Sequence, residues 1–323
     1  MTDDSLPQTR GAVRRLLDTA LDQGLLESGE VAVGVSGGAD SLALAAATSY
    51  VSQRLDLRVH GLIVDHGLQS GSARVAEDAA ATLRKLGVDA VRVLPVEVGT
   101  DGGPEAAARR SRYAALRAAL PAPDALVLLG HTLDDQAETV LLGLGRGSGP
   151  RSISGMRPLD PPWGRPFLGI SRAVTVAACA RLGLTPWADP HNVDPRFTRV
   201  RLRAEVLPLL EDVLNGGVAA ALARTAAQLR EDTEALDQWA ARILTDLPAE
   251  LPVDGMADLP PAVRRRVLRR WLLAGDVREL TDAQLRSVDE LVGVWRGQGG
   301  VWLPGGLVVR RAHGRLLLVP PTQ

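Results

Sequence analysis

The sequence predicts an α/β protein: a parallel sheet with helices on both faces, followed by a smaller, mostly helical C-terminal domain ending in short strands. Three observations carry that expectation. Between Val31 and about Leu129, short apolar runs alternate with stretches of helical spacing, the pattern of strand–helix–strand units. Polar clusters close the first, second and fourth of those runs, where such a sheet places its ligands. Beyond Asn215-Gly216-Gly217 the pattern changes to long helical stretches and then, from Gly300, to short strands.

The candidate strands are Val31 to Val35, Leu57 to Val64, Ala90 to Val96 and Ala125 to Leu129. Between them, Ser70 to Leu86 and Pro104 to Leu120 have helical spacing, the second opened by a proline suited to a first helical turn. Gly143 to Gly169, rich in Gly, Pro, Ser and Arg, reads as a loop. Helical patterns resume at Ser171 to Leu182 and at Arg201 to Leu214, and the break at Asn215 divides the chain into domains 1–215 and 216–323. In the second domain, helices are expected at Val218 to about Leu247, Pro260 to Leu273 and Thr281 to Trp295. Two or three strands then follow around Pro304-Gly305-Gly306 and His313-Gly314.

Composition narrows the function. The chain has 323 residues, a net charge of −1 and one cysteine, Cys179. A single cysteine excludes an internal disulfide and any cysteine-based zinc or iron–sulfur site built within one chain. The near-neutral charge means that nucleic-acid contacts have to come from local patches. Charged residues interrupt every apolar stretch before it reaches membrane-spanning length, and the first ten residues lack the pattern of a signal peptide. A cytoplasmic protein with no membrane partner is expected. The sequence does not set the oligomeric state, and an oligomer is compatible with it.

The richest segment is Ser36-Gly37-Gly38-Ala39-Asp40-Ser41, which ends the first apolar run and opens an alanine-rich helical pattern. Paired glycines permit a sharp turn, and a helix start offers unpaired N–H groups to an anion. An ordinary capped turn has the same composition. Gly34-Val35-Ser36-Gly37-Gly38 also satisfies the nucleophile elbow of hydrolases, but no strand pattern precedes it to supply an oxyanion loop. A Walker loop is excluded because the only lysine in the chain is Lys85.

A second cluster, Gly130-His131-Thr132-Leu133-Asp134-Asp135-Gln136-Ala137-Glu138-Thr139, follows the fourth strand and opens a helix that Thr132 can cap. Asp134 and Glu138 are four residues apart and Asp135 and Glu138 three, so carboxylates can converge on one face. Acids favoured at a helix N-terminus explain Asp134 and Asp135 alone, but not the histidine. Asp65-His66-Gly67 ends the second strand and sets a proton-accepting side chain beside a carboxylate. Glu105 and Arg109 share a helical face, as an ion pair or with the arginine directed at phosphate.

The order of these motifs resembles the tRNA(Ile)-lysidine synthases, members of the PP-loop ATPases. The matches are Ser36-Gly37-Gly38-x-Asp40-Ser41, Val64-Asp65-His66-Gly67-Leu68, Glu105-x-x-x-Arg109-x-x-Arg112-Tyr113 and Gly130-His131-x-x-Asp134-Asp135-Gln136-x-Glu138-Thr139. Leu144-Gly145-Arg146-Gly147-Ser148-Gly149, Arg165-Pro166-Phe167-Leu168, Trp187-x-Asp189-Pro190-His191-Asn192-x-Asp194, the run Arg199-Val200-Arg201-Leu202-Arg203 and Leu207-Pro208-Leu209-Leu210 extend the resemblance over most of residues 31 to 210. There are departures. Thr132 stands where the family usually has a second histidine, His191-Asn192 replaces a more usual Ser-Asn, and the Arg199 run is looser than the family's Arg-Asn pair.

The resemblance implies a PP-loop adenine nucleotide α-hydrolase-like fold and the use of ATP and Mg2+. It implies a ligase that joins L-lysine to the wobble cytidine of the CAU anticodon of tRNA(Ile), by adenylation and then displacement of AMP. It assigns the nucleotide to Ser36, Gly37, Gly38, Ala39, Asp40, Ser41, Asp65 and His131, and magnesium to Asp40 and Asp135. Catalytic roles fall to Asp40, Arg109, Asp134, Asp135, Glu138 and His66. Candidate tRNA contacts are Arg199, Arg201 and Arg203, and in the second domain Arg264, Arg265, Arg266, Arg269 and Arg270. Sulfur-transferring relatives use several cysteines, which one Cys179 cannot reproduce.

Overall fold

In the computed structural model, residues 4–67, 71–99, 103–147, 149–246 and 248–320 are described, with backbone only at Pro104, Glu105, His191 and Asn192. The chain divides into two compact units. One comprises residues 1–145 and 155–226; the other comprises residues 146–154 and 227–323.

The first unit begins with α1 (Ser5–Asp22), an addition to the elements expected from sequence. Its buried positions, including Thr9, Ala12, Val13, Leu16, Leu17 and Ala20, recur at helical spacing. Then come β1 (Glu30–Val35), α2 (Ala39–Ser52), β2 (Arg58–Asp65), α3 (Ser72–Lys85), β3 (Ala90–Pro95), α4 (Pro104–Ala118), β4 (Leu126–Leu129) and α5 (Leu133–Arg146). The strands β1 to β4 and the helices α3 and α4 agree with the expected elements to within about two residues, and α2 runs beyond the alanine-rich pattern at both ends.

The segment expected to be one loop is partly ordered. It holds α6 (Pro150–Ile153), β5 (Leu159–Asp160), β6 (Trp163–Gly164) and a 3-10 turn over Pro166–Gly169. Two-residue strands are too short to show alternation in sequence, and here pairing with β4 and with each other creates them. The sheet therefore has six strands in the order β3-β2-β1-β4-β6-β5, parallel except for β5.

Both faces are covered. Val31, Val33 and Val35 of β1 join the cluster built with α1, α2, α3 and α7 (Arg172–Arg181), which includes Leu17, Leu44 and Leu83. Ala32 alternates into the opposite cluster with Leu116 of α4, with Ala119 just beyond that helix and with Trp163. Strands apolar on both faces read as continuous runs, which is why β1, β2 and β4 were visible without their neighbours.

The unit continues through α8 (Thr198–Arg201), a π-helical turn over Leu202–Val206 and α9 (Leu207–Val213). Pro208 has no N–H to continue an α-helical ladder, and the π turn lies immediately ahead of it.

A border between the units falls inside α10 (Val218–Ile243). The second unit continues with β7 (Glu250–Pro252), α11 (Pro261–Ala274), α12 (Asp282–Gly293), β8 (Val301–Leu303), β9 (Leu307–Ala312) and β10 (Arg315–Val319). Its antiparallel sheet has the order β7-β10-β9-β8, with β7 an addition to the strands expected from sequence. Val263, Val267, Leu268 and Trp271 of α11 fill its core with Leu251, Val309 and Leu316. No single helix among the described residues is long and apolar enough to cross a membrane.

Candidate active site

The strand order reverses direction between β1 and β4, and open α/β sheets bind ligands beyond the carboxyl ends of their strands at such a point. The two strongest sequence motifs occupy those two strand ends. Gly37 has φ +84°, a conformation that disfavours a side chain, and its carbonyl accepts the Trp187 N–H at 2.9 Å. Gly38 caps α2 without a side-chain bond, so the first-turn N–H groups of Ala39, Asp40 and Ser41 have no intrahelical acceptor. The buried Ser41 hydroxyl donates to the Gly38 carbonyl at 2.9 Å and accepts the Ser36 N–H at 3.2 Å. Ser41 thus folds the loop, while Ser36 is exposed.

Gly130 brings the second motif against the first. A Cβ there would lie 3.0 Å from the Asp40 carbonyl carbon and 3.1 Å from the Ser41 nitrogen, so a larger residue would push β4 off the loop. Thr132 then starts α5: its N–H and hydroxyl donate to Asp135 Oδ2 at 2.8 and 2.9 Å. Asp134 Oδ2 accepts the Arg172 N–H at 2.8 Å and so caps α7. Gln136 pins residue 156, accepting the Met156 N–H at 2.8 Å and donating to its carbonyl at 3.0 Å.

Glu138 is wholly buried, and its Oε1 accepts from Arg203 Nε at 2.7 Å; Arg203 also reaches Asp135 Oδ1 at 3.2 Å. Arg199 Nη1 lies 3.5 Å from Glu138 Oε2. Burial raises the Glu138 pKa above the usual carboxyl range, with Arg203 opposing. Burial acts the same way on Asp135, but the Thr132 N–H, His131 and Arg203 outweigh it and the pKa falls. Burial lowers His131 to about 4, helped by Arg165, Arg109 and Arg199, so its imidazole is neutral at pH 7. At β2, His66 is lowered by burial and by Arg112, whose Nε lies 3.3 Å from His66 Nε2. Asp65 accepts the Gly67 N–H at 3.0 Å, closing the turn after β2.

Two strand-end atoms, His66 Nδ1 and His131 Nδ1, are buried without a hydrogen-bond partner among the described residues. Buried polar atoms are ordinarily satisfied, so these two are suited to contact a ligand.

In two groups of arginines the structure pairs several members with carboxylates. Arg199 and Arg203, expected to meet tRNA, are turned inward to Glu138 and Asp135, because the π turn over Leu202–Val206 carries Arg203. Arg201 is the outward member, 61% exposed and paired with Glu205. In α11, Arg264 is buried against Asp289 and Arg265 lies 3.7 Å from the same carboxylate. Arg266 bonds Asp237 at 2.9 Å, and Arg270 is exposed. Arg109 lies along α4, its guanidinium 4.8 Å from the centre of the Tyr113 ring and Nη2 3.1 Å from the Tyr113 hydroxyl. The Glu105 and His191 side chains fall outside the described residues.

Sequence reasoning did not select Arg172 or Thr175. Arg172 Nε and Nη2 donate to Asp40 Oδ2 at 3.1 and 2.8 Å, and the buried Thr175 hydroxyl donates to Oδ1 at 2.5 Å. Arg172 lies 132 residues beyond Asp40, and only the fold reports such a pair. Cys179 is buried on the same helix, donates to the Ala39 carbonyl at 3.3 Å and has a pKa raised to about 11, chiefly by burial. It is an inert packing residue.

Asp40 and Asp135 supply hard carboxylate oxygens, each with lone pairs beyond the bonds described. No cluster of three His, Cys, Asp or Glu side chains that could hold a metal occurs among the described residues. That donor set suits Mg2+, which takes one or two carboxylates and fills its shell with water and phosphate.

Fold and site together define a nucleotide-binding protein of the PP-loop class. Residues 10–210 match the model of the PP-loop domain, and residues 251–317 match that of the TilS substrate binding domain. The chain is 59% identical over 295 residues to a tRNA(Ile)-lysidine synthase of Rhodococcus erythropolis, covering 89% of each chain. It is 62% identical to one from Mycobacterium bovis, covering 83% of each, and 55% identical to one from Rhodococcus jostii, covering 97% of this chain and 95% of the relative. The chain belongs to the tRNA(Ile)-lysidine synthase family. Among solved structures, the U34-tRNA thiolase NcsA from Methanococcus maripaludis shares the fold, with a TM-score of 0.56 over 72% of this chain and 81% of that one at 18% identity.

Proposed function

We propose that the protein ligates L-lysine to C2 of the wobble cytidine in the CAU anticodon of tRNA(Ile), using ATP and releasing pyrophosphate and AMP. The observation that carries this is the contact of the Ser36–Ser41 loop with the acid-bearing α5 start at the β1–β4 reversal, sealed by Gly130. The loop N–H groups and the α5 carboxylates are close together there, which supports this reading.

In the first step the cytosine carbonyl oxygen attacks the α-phosphorus and pyrophosphate departs. The N–H groups of Ala39, Asp40 and Ser41 and the Ser36 hydroxyl hold the leaving oxygens. Asp40 and Asp135 would hold a magnesium ion, which would supply positive charge against the phosphates. Arg109 is assigned to the adenylating phosphate or the tRNA.

In the second step the lysine ε-amine attacks that carbon and AMP leaves. The amine has a pKa near 10.4 in water and must lose a proton. Glu138, with its raised pKa, and the neighbouring Asp135 are the acceptors this site offers first, ahead of His66. The neutral His131 can donate one hydrogen bond and accept another at the nucleotide.

The test is incubation with labelled ATP, L-lysine and tRNA. AMP formation is expected to require both lysine and a tRNA with a CAU anticodon. AMP release in the absence of tRNA would sink the proposal.

A further inference from the structure

In the second unit, arginines gather where α6, α10 and α11 meet. Arg151 of α6 donates to Asp237 of α10 at 2.7 Å, and Arg266 of α11 donates to the same oxygen at 2.9 Å. Arg269, one turn further along α11, has a buried Nε with no hydrogen-bond partner among the described residues. Its pKa is lowered by burial and then by the charge of Arg151, with Asp237 opposing. Two guanidinium groups thus share one carboxylate, and a third, one turn along α11, has an Nε with no partner among the described residues. Segment 146–154 is held on this unit by the Arg151 bond and by Arg230, which donates to the Ser154 carbonyl at 2.9 Å.

We infer that Arg151 and Arg269 form a site for one backbone phosphate of an RNA, with Asp237 and Arg266 as the residues that position them. The reasons are chemical. A partly buried guanidinium beside a like charge is costly unless an anion completes it, and its planar fork matches phosphate oxygens. Asp237 holds Arg151 in place but cannot neutralise three arginines. Half of the Arg151 side chain is exposed, so the pair is open to a large ligand. RNA as the source of the phosphate rests on the proposed tRNA substrate. The site draws on residues 151 and 237, both outside the stretch matched as substrate binding domain.

The experiment is equilibrium binding of the CAU-anticodon tRNA to the full chain at several salt concentrations. Each phosphate contact adds about 0.7 to 0.9 to the slope of log affinity against log salt. Arg269→Ala and Arg151→Ala are each expected to flatten the slope by about that amount. Arg286→Ala, on the exposed face of α12, removes the same charge away from the site and is expected to leave the slope unchanged. Arg269→Lys is expected to keep the slope but bind more weakly, since the charge stays and the fork is lost. Arg269→Gln serves where the alanine variant does not fold. Slopes for Arg269→Gln and Arg151→Ala equal to wild type would overturn the site. If wild-type AMP formation still requires tRNA in that case, the proposed function stands and only this inference falls.

Discussion

Two clusters of arginines, one in each unit, differ in how their charge is matched. Around the β1–β4 reversal three guanidinium groups face carboxylates: Arg172 meets Asp40, Arg203 meets Glu138 and Asp135, and Arg199 meets Glu138. At the α6, α10 and α11 contact, Arg151 and Arg266 share Asp237, and the buried Arg269 Nε has no hydrogen-bond partner among the described residues. Matched charges fix the geometry of groups that must be in place before a reaction. Excess charge waits for a partner from outside. An arginine count alone therefore says little about nucleic-acid binding, and the carboxylates around each guanidinium decide its role.

The sharpest way to break the matched region is to neutralise its acids. Asp135→Asn with Glu138→Gln is expected to slow lysine transfer to a preformed adenylate by on the order of 10²- to 10⁴-fold, the range for losing general-base assistance. Rapid-quench assays with isolated adenylated tRNA measure that step, and full retention would remove both residues from the role.

Charge matching also predicts acid lability. His131 titrates at about 4 in the folded protein and near 6.5 unfolded, so between those values the unfolded chain binds more protons. Stability is present in full above about pH 6.5 and is lost as pH falls towards 4, amounting to about 3 kcal/mol at 1.36 kcal/mol per unit. Urea titrations between pH 7 and pH 4 are expected to show a steeper loss in wild type than in His131→Gln. Equal losses would mean that His131 is not held neutral.

Arg172→Ala tests the tether between the PP-loop and α7. Removing a hydrogen-bonded partner of Asp40 is expected to raise the KM for ATP about tenfold, as the loss of ~1.5 kcal/mol would. Arg172→Lys should recover part of it. A fall in kcat at unchanged KM would instead indicate a role in the reaction itself. The smallest effect is expected from Arg201→Ala, whose exposed pair with Glu205 is screened by water. Its melting temperature should match wild type, and any change should appear only in tRNA affinity.

The contrast also explains what was legible in sequence. Ser36 to Ser41 and His131 to Thr139 were readable because each motif is contiguous and follows an apolar strand that needs no distant partner to be recognised. Arg199 and Arg203 were placed with Arg201 because arginines two residues apart look alike in a linear pattern. The π turn ahead of Pro208 and the buried Glu138 draw Arg203 and Arg199 to one side and leave Arg201 on the other. Arg172 and Arg151 carried no local mark at all.

The apolar periodicity determined the strands β1 to β4 and the principal helices, since burying those faces is the dominant favourable term in folding. The glycines and short polar clusters determined where the nucleotide is expected, since backbone freedom and helix ends are local properties. Only the tertiary structure decided which charges pair, which histidines stay neutral and which guanidinium groups are left over. Those depend on distance and burial between residues remote in sequence, and electrostatic energy is set by both.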